Sequence, residues 1–536
     1  DATPPSNFKV TLGQESTSIP APNIPTIDFY TKGTIATKRF NVMPNSSLLD
    51  FRIQFIPTVS SAKGWLNYLR INAVRNLVMS GDELFFRTPL LRGNTYGKFI
   101  LQTPNNVNLQ VWDITDHNDI KEKKKIYDTD LNAYTFIAKS TDNTIKEYVA
   151  VDVSASYPKP EVVGSVANQN LHALNNAELV IISHADYVEQ AQKLALAHLE
   201  KDNMSSLIVT PEQIYHEFSS GTPDATAYRW FLKMFHDRYK KGEASTPLKY
   251  LLLLGDGSYD NRQLLAFPDN SNKILTFQSY NSLIETNSYV TDDYFGFLDD
   301  IEGINPSADI LDVGIGRIPV NTVQQATDVV NKIVTYINNE NKGKWKNQLC
   351  FLADDGDDIT HVGQADQVAN KFVDAHNEFE IIKLYLDAYN QQTTPSGSRY
   401  PEVREKLHSL LKNGILMLNY TGHGGTEGWT DERILTKEDV INMYNPNLAL
   451  WVTATCDFSR FDSKEISAGE HVLFNPNGGG IALFTTTRTV YSGPNFTLNM
   501  KLADYIFRRD ENNERLRLGD IMRQTKIALG NESNKL

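Results

Sequence analysis

Residues 414–425 read GILMLNYTGHGG and residues 448–456 read LALWVTATC, two apolar runs that each end on a reactive side chain, His423 in the first and Cys456 in the second. Each run has the length and the β-branched or aromatic content of a buried strand. Between them Thr436–Tyr444 (TKEDVINMY) predicts a helix, with Thr436 as its N-cap and Glu438 and Asp439 in a first turn that favours negative charge. Strand, helix and strand joined by one right-handed crossover make the two strands parallel and adjacent. His423 and Cys456 then stand side by side at the carboxyl ends of their strands, where open α/β sheets place their sites. A thiol beside an imidazole in such a crevice is equipped for acyl transfer through a thioester.

The chain has 536 residues, 40% of them hydrophobic, enough for several cores. A net charge of -13, from 52 Lys and Arg against 65 Asp and Glu, argues against the phosphate-neutralising surface that nucleic acid requires. The basic run Lys121–Lys125 reads as a solvated tip. No apolar run approaches the about 18 residues of a membrane span, and Asp1 opens a polar segment unlike a signal peptide. The expectation is a mature or excised piece that is soluble by itself. Two cysteines give neither a disulfide framework nor a multi-cysteine zinc site. Cys350 falls inside the apolar run 348–353, and Cys456 at a strand end before polar residues. A bond between them is the plain alternative to a catalytic Cys456.

Residues 1–165 carry short strand-type runs (FKVTLG, LLDFRIQFI, GKFILQT, LQVWDI, YTFIAK, EYVAVDV) broken by Pro, Asn, Gly and Asp, the pattern of an antiparallel β-sandwich. From residue 178 strands and helices alternate. Strands are expected at 179–183, 206–209, 249–254 and 311–315, with helices at 187–199, 225–239 and 323–337. A second series follows, with strands at 349–353, 380–386 and 480–486 and helices at 364–375, 402–411, 495–508 and 518–529. This predicts α/β architecture with parallel sheets and flanking helices, divided as 166–345 and 346–536.

Thiolate chemistry needs a base near sulfur, donors for the oxyanion and a wall that sets specificity. His423 alone among 11 histidines sits between glycines in a tight strand-end loop; a turn histidine is the bland alternative. Gly424 lets backbone approach a substrate carbonyl, which makes the Gly424 and Cys456 amides candidate oxyanion donors. The run Asp354-Asp355-Gly356-Asp357-Asp358 follows a strand expected beside the pair. Asp355 or Asp354 is a candidate to orient the imidazole, and Asp357 and Asp358 to bind a structural calcium ion. A second acidic loop, Asp292-Asp293 with Asp299-Asp300, reads as solvated surface. Gly255-Asp256-Gly257-Ser258 resembles a phosphate-type turn without a nucleotide motif.

The strings Asn419-Tyr420-Thr421-Gly422-His423-Gly424 with Trp429, and Thr453-Ala454-Thr455-Cys456, resemble the gingipain family of cysteine peptidases, which share a caspase-type α/β fold. The likeness runs over roughly residues 170–530 and includes Leu253–Asp260, Asp292–Gly296, Gly314–Val320 and Thr453–Asp462. Asn475–Gly480 and Thr485–Arg488 resemble one branch of that family, the sortases of type IX secretion. That resemblance implies an enzyme at the outer face of a bacterial outer membrane. It would remove the C-terminal signal domains of cargo proteins, transfer the cargo to a lipopolysaccharide amine, and work with other components of the secretion system.

The family's nucleophile falls on Cys456, its histidine on His423 and its third, acidic residue most nearly on Asp355. The aromatic wall of its first specificity pocket falls near Tyr491. Arg488 at the same strand end, and Trp429 of the histidine motif, are expected to contact substrate as well. No cofactor is implied as required. The region around His361 (His-Val-Gly-Gln) has no counterpart of the acid that selects arginine in gingipains, and known members of the branch continue past residue 536. A purely hydrolytic endopeptidase and a non-catalytic cargo scaffold are the alternatives.

Overall fold

Two parallel sheets organise the α/β part of the chain. The first has the order Ser206–Val209, Leu179–Ser183, Tyr250–Leu254, Gly314–Ile318. The second has the order Glu380–Tyr385, Gln348–Ala353, Met417–Thr421, Ala449–Ala454, Gly480–Phe484. In both, the second strand in sequence lies outside the first and later strands add on the other side. The winding therefore reverses between the first and third strands, and a crevice opens there beyond their carboxyl ends. The inner strands are buried on both faces, as parallel strands covered by helices must be: Leu179–Ser183 and Met417–Thr421 are buried at every position.

The computed structural model describes residues 5–530 apart from 26, 44–45, 47, 94, 105–106, 141, 266–272 and 339–340. These form two compact units, Lys63–Ala167 and Asp1–Ala62 with Asn168–Leu536. The division differs from a single break at residue 165. The sheet of Asn7–Leu12, Glu15–Pro20 and Phe51–Ile56 belongs with the α/β part. One tie is visible in the backbone, where Lys32 donates to the Leu283 carbonyl (2.7 Å) and Glu285 to that of Tyr30 (2.9 Å). In the smaller unit, two antiparallel sheets share one core of Leu84, Leu101, Val111, Phe136, Tyr148 and Ala150. That is the expected sandwich. All six strand runs anticipated before residue 165 occur.

The second sheet holds the candidate site. Its helix between Met417–Thr421 and Ala449–Ala454 is only Lys437–Ile441, opened by a capping box in which Thr436 and Asp439 satisfy each other's backbone amides. Beneath the sheet, helix Ser492–Leu502 is tied to Met417–Thr421 by reciprocal amide bonds, Asn419 Nδ2 to Asn499 Oδ1 at 2.9 Å and Asn499 Nδ2 to Asn419 Oδ1 at 3.1 Å. The fourth strand of the first sheet is Gly314–Ile318 rather than 311–315, and the helices Pro211–Phe218 and Ala468–Phe474 were not anticipated.

The acidic loop read as solvated is partly buried instead. Asp292 accepts two bonds from Arg317, at 2.7 and 2.8 Å, with only 12% and 5% of the two side chains exposed. Gly255–Ser258 is a structural turn: the buried Asp256 accepts from Asn321 Nδ2 at 2.7 Å and from the Gly257 amide at 2.9 Å. Truncating one member of a buried ion pair strands the other's charge. Asp292→Ala should therefore lower the unfolding free energy by about 3–5 kcal/mol, read from denaturant melts. A change below about 1 kcal/mol would show that Arg317 is hydrated in solution.

Candidate active site

Register brings the two reactive side chains together. Thr421 lies opposite Ala454, an offset of 33 positions, and the same offset separates His423 from Cys456. The Gly422 amide donates to the Ala454 carbonyl, continuing the ladder one residue towards them. Gln348–Ala353 flanks this pair on the other side and delivers the acidic run, Ala353 lying opposite Thr421.

Side-chain alternation then sorts the acids. Asp354 is buried against the histidine loop. Its Oδ2 accepts the His423 backbone amide at 2.9 Å and its Oδ1 the Asp355 amide at 3.1 Å. The approach needs glycine at 422, where a Cβ would lie 2.4 Å from Asp354 Cβ. Asp355 points the other way and accepts from Tyr400 Oη (2.8 Å) and Gln391 Nε2 (3.2 Å). The expected Asp355–His423 contact is therefore not made. The carboxylate at the imidazole is Asp357, whose Oδ2 lies 2.6 Å from His423 Nε2 and 3.2 Å from His361 Nε2. Asp357, Asp358 and Ile359 all have left-handed backbone, with φ of 47°, 51° and 59°, a strained turn for three side-chain-bearing residues. Asp357, expected with Asp358 as a calcium ligand, thus faces two imidazoles, and Asp358 is exposed.

The two cysteines are free thiols, which removes the disulfide alternative. Cys350 is wholly buried and burial pushes it up to about 12. Cys456 is half-buried, and its Sγ meets the Val490 backbone twice, taking the amide at 3.4 Å and facing the carbonyl at 3.5 Å. Burial raises the Cys456 thiol above its ordinary range, the Val490 amide partly offsets this, and the Asp457 charge adds to it. Asp457 itself has φ 47° and accepts from Thr489 Oγ1 at 2.8 Å. The thiol and the imidazole thus share a strand-end level while each is bonded elsewhere.

Gly424 packs against Thr455, where a Cβ would lie 2.6 Å from Oγ1. The Thr430 amide donates to the His423 carbonyl at 3.1 Å in the antiparallel pair Gly424–Gly425 with Gly428–Trp429. Hydrogen-bonded and non-bonded positions alternate in such a pair, so the Gly424 N–H is directed away from its hairpin partner.

Trp429 is not a substrate wall. It is 1% exposed, stacked on Tyr420 at 4.2 Å and packed on Trp451 and Phe458. Tyr420 in turn donates to the His423 carbonyl at 2.5 Å, so this aromatic stack supports the histidine loop from below.

Arg488 is likewise committed to the fold, through a bidentate pair with the fully buried Asp462 (Nη1 to Oδ1 2.7 Å, Nη2 to Oδ2). Its carbonyl accepts the Asp457 amide, which ties the residue after the candidate nucleophile to this clamp.

Tyr491 is half exposed, and its ring meets that of Tyr30 at 6.1 Å, edge to face. Tyr30, Glu432 and Val490 are residues at or beside the site that no motif pointed to, and His361, noted only for lacking an arginine-selecting acid, lies there too. A cleft of about 1310 Å³ reaches Phe461, Arg488, Thr489 and Val490 but includes neither Cys456 nor His423 among its walls.

The model of peptidase family C25 matches residues 172–535. The chain belongs to peptidase family C25, the gingipain-type cysteine peptidases. Among solved structures it is similar to the dimeric latent PorU from Porphyromonas gingivalis, with a TM-score of 0.56 and 24% identity over 99% of this chain. The chain spans 45% of that structure's length. It is also similar to the Arg-specific cysteine proteinase gingipain R, with a TM-score of 0.50 and 17% identity over 69% of this chain and 76% of that one. These likenesses bear out the α/β fold with parallel sheets. Against curated protein sequences the chain gives no significant match. No helix among the described residues is long and apolar enough to cross a membrane.

Burial raises the Asp354 carboxyl to about 7, helped by the nearby Asp355 and Glu432 charges, while the His423 amide bond and the His423 charge offset only part of the cost. An acid whose folded value lies above its unfolded one supports folding while protonated. That support is full below about 4 and is lost as pH rises through about 7. The melting temperature should fall from pH 5 to pH 8, and more steeply in the parent chain than in Asp354→Asn. Parallel curves for the two would contradict the assignment.

Proposed function

We propose that this chain is the catalytic part of a cell-surface cysteine transpeptidase that removes the C-terminal signal domain of secreted cargo and passes the cargo to an amine of lipopolysaccharide. The observation that carries the reading is the shared register of Cys456 and His423 at adjacent parallel strand ends in a family C25 chain. The likeness to PorU along nearly the whole chain supports the sortase branch over a secreted protease, and with it an outer-membrane setting among other type IX secretion components.

In the first half-reaction the Cys456 sulfur bonds to the scissile carbonyl carbon. The thiol proton passes through the His423 imidazole to the leaving amine, and the peptide C–N bond breaks. The amides of Gly424 and Cys456 stabilise the tetrahedral oxyanion. In the second half-reaction an amine attacks the thioester, the C–S bond breaks, and His423 returns a proton to sulfur. At rest Asp357 holds His423 by Nε2, as an orienting carboxylate does, while the Cys456 sulfur must leave Val490 to attack. Tyr491, at the mouth beside Val490, offers an apolar wall to the incoming segment. Arg488 acts through its clamp on the loop of Asp457 rather than by touching substrate.

The test is mass analysis of a cargo's new C-terminus after incubation with the chain and an amine-bearing lipopolysaccharide. Cys456→Ala should lower turnover by at least about 10³-fold while leaving the fold intact. Cys350→Ala should keep activity and lose some stability through a small cavity. An amide-linked glycan is the expected product. A free carboxylate as sole product would leave a hydrolytic peptidase, and activity retained in Cys456→Ala would overturn the assignment of the nucleophile.

A further inference from the structure

Asp357, His361 and His423 aim their donor atoms at one point. His423 Nε2 and His361 Nε2 both address the same Asp357 oxygen, at 2.6 and 3.2 Å, and the three ligand atoms lie within 4.8 Å of one another. The two rings meet edge to face with centroids 5.0 Å apart, so they do not stack on one another. One carboxylate oxygen thus serves both imidazoles.

The donor chemistry is that of a borderline metal. Two imidazole nitrogens and one carboxylate form a three-ligand set with a position left for water, while calcium prefers six to eight oxygens. Bonds of about 2.0–2.1 Å at tetrahedral angles hold ligand atoms about 3.3 Å apart. Opening the His423–Asp357 contact and drawing the imidazoles together by small side-chain shifts reaches that geometry.

The surroundings suit reversible binding. His361 is held rigidly, 7% exposed in the first turn of helix Thr360–Ala375, one helical turn beyond Asp357. His423 and Asp357 have more than half of their side-chain surface in solvent, so an ion has an entry path.

We propose that Asp357, His361 and His423 bind a zinc ion and that this ion holds the peptidase at rest. The inference rests on His423 being the proton shuttle. With its Nε2 a metal ligand, the ring carries its proton on Nδ1 and can no longer accept the thiol proton, while Asp357 is fixed on the strained turn. Removal of the ion frees the imidazole. Regulation then acts through the base, without the thiol as a ligand, unlike the thiolate capture by which zinc would block an exposed cysteine.

The test is calorimetric titration of zinc chloride into the full chain, beside the same titration with calcium chloride. The parent chain and Cys456→Ala should each bind one zinc ion, with no equivalent calcium binding. His361→Ala and Asp357→Asn should each weaken zinc binding by about 10–100-fold, and circular dichroism checks that both remain folded. Asp357→Asn lies on the surface and covers the case in which the buried His361→Ala fails to fold. Zinc should suppress cargo cleavage in the parent chain, and His361→Ala should need at least 10-fold more zinc for the same suppression.

Undiminished binding in both site variants, or lost binding in Cys456→Ala, overturns the proposal. A chain that cleaves through Cys456 but binds no zinc sinks this inference alone. One that binds zinc through these residues yet cleaves nothing sinks the catalytic reading and the resting role with it.

Discussion

A fixed offset between two parallel strands is the constraint on which the site depends. With Thr421 opposite Ala454, the backbone register of two neighbouring strands sets His423 at the level of Cys456. A slip of one residue would turn both strands' side chains to the wrong face, and the burial of every residue in Met417–Thr421 makes such a slip costly. The loop beyond the strand is fixed by contacts that only these residue types allow. Gly422 lets Asp354 close against the His423 amide, and Tyr420, stacked on Trp429, takes the His423 carbonyl. The backbone of the histidine is thereby held at both its N–H and its C=O, and its ring by Asp357.

Electrostatics then define a resting state. A cysteine nucleophile needs a cation or a base to lower its pKa, and Cys456 has instead a buried setting, a neutral backbone partner and the Asp457 carboxylate next in sequence. The imidazole that would change this is engaged by Asp357, whose carboxyl is held below its usual range chiefly by that hydrogen bond. The left-handed residues on either side, Asp357 to Ile359 and Asp457, store strain in the loops beside the two candidate residues. The geometry is that of a machine assembled but not engaged.

Most of the architecture was legible in the sequence, because buried parallel strands and amphipathic helices write strong periodic signals. The placement of His423 and Cys456 side by side was legible for the same reason: both residues follow such strands. What escaped depended on pairings distant in sequence. Arg488 looked like a crevice residue because nothing in its own loop shows that Asp462, in another loop, lies buried against it. Trp429 looked like a substrate wall until Tyr420 and Trp451 closed around it. Among four neighbouring acids, alternation sent Asp355 to Tyr400, and a left-handed turn sent Asp357 to the imidazole. Helix Ala468–Phe474 carried a readable capping box, Ser467 with Glu470, but it is short and has a glycine inside. Capping box Thr210 with Gln213, and Pro211 at the first helical position, likewise announced Pro211–Phe218.

The central claim, that candidate nucleophile and base are adjacent yet unengaged at rest, is tested most directly by the pH dependence of iodoacetamide alkylation at Cys456 in the chain without substrate. The account predicts a midpoint above the ordinary cysteine range, unchanged in His423→Ala. A midpoint shifted to acid pH in the parent chain and restored to alkaline pH by His423→Ala would contradict it, because the thiolate–imidazolium pair would then already be formed.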